Sequence, residues 1–225
     1  MKTTELNGNL IQLTRLGFVN AYLVREDDGF TLVDTTVARS GSALIAAARA
    51  AGAPIRRIAL THGHGDHVGS LDELKGRLGA EVEVRMPELD ARIHAGEEVV
   101  EGKVPGSWPK ISTVPDVRLK AGDRVGSLEV VPTPGHTPGH VSFIDTRDRT
   151  VIVGDTYTTF GKVAVSSHFY WRFPLATMAT FDRAEDVRSA QVLRDLTPSL
   201  LVAGHGPAVS SPVAAMDAAI ARARR

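Results

Sequence analysis

Ile58-Ala59-Leu60-Thr61-His62-Gly63-His64-Gly65-Asp66-His67 decides how the rest of the chain is read: an apolar run, then three histidines and an aspartate within six positions, separated by glycine. The run reads as a short buried strand that ends in a loop. A single histidine there would be a cap or a satisfied polar group. Packing three imidazoles beside a carboxylate costs desolvation and rotamer freedom, and protonation would add mutual repulsion. A divalent cation reverses that balance, because it coordinates neutral imidazole nitrogens and an ionised carboxylate. Gly63 and Gly65 let the backbone turn tightly enough to aim alternate side chains at ions.

Three downstream segments extend the set. Pro134-Gly135-His136-Thr137-Pro138-Gly139-His140 places His136 in a turn, Val151-Ile152-Val153-Gly154-Asp155 brings an aspartate to a strand end, and Leu200-Leu201-Val202-Ala203-Gly204-His205 does the same with a histidine. Rigid strands can present such loop residues at one site. His62, His64, Asp66, His67, His136, Asp155 and His205 together offer enough donors for two cations.

Around these motifs the pattern alternates. Strands are expected at 9–14, 19–25, 30–33, 58–60, 81–85, 128–131, 141–145, 150–153 and 200–203, and helices at 42–51, 71–78, 87–93, 183–196 and 213–224, with Asp182 as an N-cap. That alternation predicts α/β layers. Two irregular stretches stand out: 95–116, read as an excursion or lid, and 161–178, which carries the densest run of aromatic residues. No linker is visible, so residues 1–225 are expected to form one domain.

Composition removes several classes. The 225 residues carry 26 Lys+Arg against 26 Asp+Glu, a balance that gives no reason to expect nucleic acid or an anionic membrane as partner. With no cysteine, disulfides, thiolate ligands and cysteine nucleophiles are excluded. The start lacks a signal-like apolar stretch and no later segment reads as a membrane span, so a cytoplasmic protein is expected.

From Thr61 to Gly69 and the later His136, Asp155 and His205, the chain resembles the metallo-β-lactamase-fold hydrolase superfamily, in its dinuclear glyoxalase II-like and lactonase-like branch. The resemblance implies a four-layer αβ/βα sandwich with two mixed β-sheets and metals at one edge. It also implies a first metal on His62, His64 and His136, a second on Asp66, His67 and His205, and Asp155 as the bridge. His140 and Asp34 match positions that hydrogen-bond near the ligands. The ions would be zinc, with iron or manganese open to the same donors. A bridging hydroxide would attack a carbonyl carbon, with Asp66 and Asp155 orienting it or moving its proton.

The resemblance implies hydrolysis of a lactone, ester or thioester. The alternatives are a β-lactam or phosphodiester hydrolase, an iron-dependent persulfide dioxygenase, and a non-catalytic metal-binding protein. For the pocket, Tyr157 is a candidate oxyanion contact and His168 a candidate polar group. Trp108, Phe160, Phe169, Tyr170, Trp171 and Phe173 are candidates for an apolar groove wall, with loop anchoring or a homodimer surface as the other reading of the same aromatics.

Overall fold

β structure begins earlier than the sequence pattern indicates. In the computed structural model, which describes residues 1–225, β1 (Lys2–Asn7) pairs antiparallel with β2 (Leu10–Arg15), which pairs with β3 (Val19–Glu26), and that with β4 (Gly29–Val33). After α1 (Gly41–Ala50), β5 (Ile55–Ala59) joins β4 in parallel. The motif follows directly: α2 (Gly65–Val68) contains Asp66 and His67, and α3 (Leu71–Leu78) comes next. β6 (Glu83–Pro87), α4 (Glu88–His94) and β7 (Val117–Leu119) complete a seven-stranded mixed sheet in the order β1-β2-β3-β4-β5-β6-β7.

The second sheet is built from β8 (Arg124–Val125), β9 (Leu128–Pro132), β10 (Val141–Asp145) and β11 (Thr150–Ile152). A two-stranded hairpin, β12 (Tyr157–Thr158) and β13 (Ala164–Val165), and α5 (Pro174–Met178) precede α6 (Arg183–Asp195). β14 (Leu200–Val202), β15 (Val209–Ser210) and α7 (Val213–Ala223) close the chain's elements. Here the order is β15-β14-β11-β10-β9-β8, antiparallel except where β14 runs parallel to β11.

Three apolar cores account for four layers. Side chains alternate across each strand, so Ala21 and Leu23 of β3 join a core with Leu44, Leu71 and Leu74 of the first helices, while Tyr22 and Val24 face the other way. Tyr22 and Val24 meet Val130, Phe143 and Ile152 of the second sheet in the middle core. The third core packs Val151 and Leu201 on Ala190, Leu193, Met216 and Ile220 of α6 and α7. The result is an α/β sandwich of two mixed sheets flanked by helices.

The short strand at the motif ends at Ala59 rather than Leu60, whose N–H bonds the Arg85 carbonyl. His62 to His67 therefore emerge from the first sheet, and His136, Asp155 and His205 from loops after β9, β11 and β14 of the second. The sheets' shared edge is where they meet.

Candidate metal centre

The seven candidate ligands converge into three overlapping groups. His62, His64 and His136 form one, His62, His67 and Asp155 a second, and Asp66, His67 and His205 a third; within each, the donor atoms lie within 4.8 Å of one another. Across the groups, His205 Nε2 stands 3.1 Å from Asp155 Oδ2 and 3.3 Å from Asp66 Oδ2, and His67 Nε2 is 3.4 Å from Asp155 Oδ1. His64 Nδ1 faces His136 Nε2 at 3.1 Å.

Hydrogen bonds behind the rings orient these nitrogens. Asp34 ends β4 in the left-handed region, at φ 62°, a conformation that short polar side chains tolerate better than most. Its carboxylate accepts from the Thr61 N–H at 2.8 Å and faces His67 Nδ1 at 2.8 Å. Thr61 Oγ1 donates to Asp34, so it accepts from His62 Nδ1, 3.0 Å away. Those bonds engage the Nδ1 of both rings and leave His62 Nε2 and His67 Nε2 fully buried without a hydrogen-bond partner, beside an equally unpartnered Asp155 Oδ1. Buried polar atoms without partners are costly. Two imidazole nitrogens and a carboxylate oxygen converging in this way fit a divalent ion.

Electrostatics points the same way. Burial holds His62, His64 and His136 below the ordinary histidine pKa, the neutral form that coordinates metal. Burial also disfavours a charged His67 or His205, yet the surrounding carboxylates win: Asp155 and Asp34 raise His67, and Asp155 and Asp66 push His205 up to about 9. Burial opposes ionisation of Asp155 and Asp66 as well, but His205 and His67 hold both carboxyls below their usual range. The cluster thus sets three imidazoles held neutral, and two held protonated, beside two ionised carboxylates, and a divalent cation can take the place of the protons on His67 and His205. The three overlapping groups are together consistent with a dinuclear divalent centre.

His140 lies beside the His62 ring and turns its Nε2 to accept from the Asp155 N–H at 3.0 Å, with Nδ1 on Thr133 Oγ1. Burial drops its pKa to about 3, in keeping with a neutral ring whose Nε2 accepts a hydrogen bond. Gly204 approaches so closely that a Cβ there would overlap Asp155 Oδ1 and the His67 ring.

A cavity of about 750 Å³ opens onto His64, Asp66, His136, Asp155 and His205. Leu16, Phe18, Phe173, Leu175 and Met178 contribute apolar wall, and no lysine or arginine lines it. The 95–116 excursion adds Gly106, Ser107 and Pro109 to the lining.

Several pocket expectations need correction. Tyr157 is not an oxyanion contact: the left-handed turn at Gly154 redirects the chain, Tyr157 is fully buried in the α6–α7 core, and its hydroxyl donates to the Ala190 carbonyl at 2.8 Å. Trp108 backs the site instead of lining the cavity, with its ring 5.2 Å from that of His64 and its N–H on the Pro105 carbonyl. Phe160 packs on Phe18 and lines a separate depression. Phe169 and Trp171 are 65% and 70% exposed, Tyr170 sits in a small cluster with Ala176, and His168 is half-buried; none of the four lines the cavity. Of the predicted groove residues, Phe173 alone does.

Sequence reasoning missed Thr61, Phe18, Asp90 and Thr180. Thr180 Oγ1 faces His136 Nδ1 at 3.1 Å, and Asp90 holds two of the site loops. Thr61 adjoins the histidine motif and had a positional signal. The others come from distant segments with no spacing that marks them.

Comparison with known proteins agrees with the geometry. The profile of the metallo-beta-lactamase superfamily matches residues 14–205. The uncharacterized protein YobT of Bacillus subtilis (strain 168) is 41% identical over 213 residues, covering 92% of this chain and 91% of its own. A hydroxyacylglutathione hydrolase of Rhodopseudomonas palustris (strain ATCC BAA-98 / CGA009) is 37% identical over 122 residues, 52% of this chain and 40% of that enzyme. Among solved structures, a metallo-beta-lactamase from Pontibacter korlensis superposes with TM-score 0.75 at 19% identity, covering 100% of this chain and 99% of that one. TTHA1623 in a di-iron-bound form superposes at 0.65 with 29% identity, covering 90% and 94%. The chain belongs to the metallo-β-lactamase superfamily, with a dinuclear metal-binding hydrolase fold related to the glyoxalase II-like and lactonase-like hydrolases.

Proposed function

We propose that residues 1–225 act as one domain that hydrolyses a small, uncharged carbonyl compound, a lactone first and an ester or thioester next, with two zinc ions. The observation that carries this reading is the cavity: apolar on one side, free of lysine and arginine, and floored by the candidate ligands. An anionic β-lactam or phosphodiester would find no fixed cationic side chain on these walls, so such substrates rank lower. His62, His64 and His136 would hold one ion, Asp66, His67 and His205 the other, and Asp155 both. When bound, divalent ions supply Lewis acidity, which lowers the pKa of water toward neutral and polarises a carbonyl.

The chain's own residues set the rest. Leu16, Phe18 and Phe173 hold the acyl part and exclude water from one flank. Asp66 is the more open of the two site carboxylates, its side chain 36% exposed against 6% for Asp155, which suits it to pass a proton to solvent. Asp155, pinned by the His140 bond to its N–H, keeps a fixed carboxylate beneath the cavity.

A thioester preference is the second reading, supported by the hydroxyacylglutathione hydrolase match over part of the chain. The di-iron form of TTHA1623 keeps iron, and with it oxygen chemistry on a persulfide, as the alternative to zinc. No helix is long and apolar enough to cross a membrane. We extend the proposal to a cytoplasmic enzyme with no nucleic-acid partner, and to a homodimer formed through exposed Phe169 and Trp171, which light scattering tests.

The deciding experiment compares initial rates of zinc-loaded protein on an acyl homoserine lactone and on lactoylglutathione, with Asp155→Ala as control. The expected result is faster lactone turnover that the variant loses, together with part of its metal. A dominant thioester rate overturns the lactone assignment. Background rates on both overturn the lactone and thioester assignments, leave the dinuclear hydrolase reading standing, and make thiol-dependent oxygen uptake the next assay.

A further inference from the structure

Gly63 separates two of the candidate ligands, and its peptides are gripped from both sides by a single helix. The Gly63 N–H, in the peptide that begins at His62, donates to Asp90 Oδ2 at 2.8 Å. Its carbonyl, in the peptide that ends at His64, is 2.8 Å from His94 Nε2. Asp90 and His94 are four apart on α4 and so share one face. The same carboxylate accepts from Thr137 Oγ1 at 2.7 Å and from the Gly139 N–H at 2.8 Å, in the turn that carries His136. Asp90 is fully buried, and each hydrogen bond its carboxylate accepts comes from one of these two loops.

Behind His94 the excursion closes the assembly. Trp108 packs against the His94 and His64 rings, each with centroids 5.2 Å away, and the Pro105 carbonyl takes His64 Nε2 at 3.1 Å. A Cβ on Gly63 would run into Trp108 and into His94 Nε2. The glycine is therefore what lets α4 reach the backbone.

We infer that α4 sets the geometry of the His62–His64–His136 triad, with Asp90 and His94 as positioning residues that fix the backbone on both sides of Gly63 and tie it to the His136 turn. Neither touches an ion or a substrate. Their work is done through the peptides, so the affected quantity is affinity for one metal of the two. The inference rests on the dinuclear reading and not on any substrate, and its test needs no turnover.

The test is a zinc titration of the metal-free protein at buffered free zinc, with bound zinc counted directly and Trp108 emission followed in a Trp171→Phe background. His94→Phe keeps a ring against Trp108 and removes the donor; His94→Gln keeps an N–H of similar reach. The expected result is one binding step weakened about tenfold to a hundredfold in His94→Phe, the range for residues that orient metal ligands. His94→Gln should restore it to within about threefold, the other step should stay unchanged, and the weakened step should be the one Trp108 reports. Asp90→Asn turns one acceptor into a donor facing an N–H and should weaken the same step. Unchanged binding in His94→Phe overturns the inference. So does equal weakening of both steps with a matching fall in the melting temperature of the metal-free protein, the pattern of a merely structural residue. A weakened step that Trp108 does not report also overturns it.

Discussion

Asp186 is buried, and its Oδ1 has no partner, while Oδ2 accepts from the Ser167 N–H at 2.9 Å. Burial pushes its pKa from the ordinary 3.8 up to about 8, against the opposing pull of the Ser167 bonds. The folded state therefore holds this proton more tightly than the unfolded chain. Its stabilising contribution is complete below the unfolded value and is lost as pH rises through the folded one. Urea unfolding of Asp186→Asn should show the variant gaining on the wild-type protein between pH 4 and pH 8, and a constant difference would refute the assignment. Gly204 offers a second residue-scale prediction. Gly204→Ala places a methyl against Asp155 and His67, so metal content should fall while the far-ultraviolet circular dichroism is kept.

Among the elements, α6 is capped by Asp182, whose carboxylate accepts from the Glu185 N–H at 2.9 Å. Asp182→Ala should cost about 1 kcal/mol in denaturant unfolding, the usual value for a lost N-cap. This cap, α3 at Leu71–Leu78 and β10 at Val141–Asp145 were all legible in the sequence, because caps and apolar periodicity are local. β1 was not. Lys2, Thr3, Thr4 and Glu5 bury little, and an edge strand pairs through backbone groups that composition does not reveal. The site divides in the same way. Its candidate ligands announce themselves by donor chemistry in a short stretch, whereas Asp90, Thr180 and Phe18 reach the site only through folding. Tyr157 misled because proximity to Asp155 along the chain says nothing about direction after a left-handed glycine.

At the scale of the molecule, the middle core holds the sheets together, and Phe143 is fully buried in it. Phe143→Ala should lower unfolding free energy by about 3–5 kcal/mol, with no direct effect on the metal donors. Chelation should act differently. Stripping divalent ions should lower the melting temperature while leaving secondary structure, since the sheets have cores of their own and the ions bind only the folded state. The four candidate donors from the first sheet fall within six residues, His62 to His67, while those from the second are scattered from His136 to His205. During synthesis on the ribosome the two halves of the site therefore mature at different times. The histidine-rich turn emerges early with three imidazoles and one carboxylate, a weak and exchangeable scavenger of ions. Tight retention must wait until β14 has been translated and docked beside β11, so full affinity for both ions is expected only after the second sheet has formed.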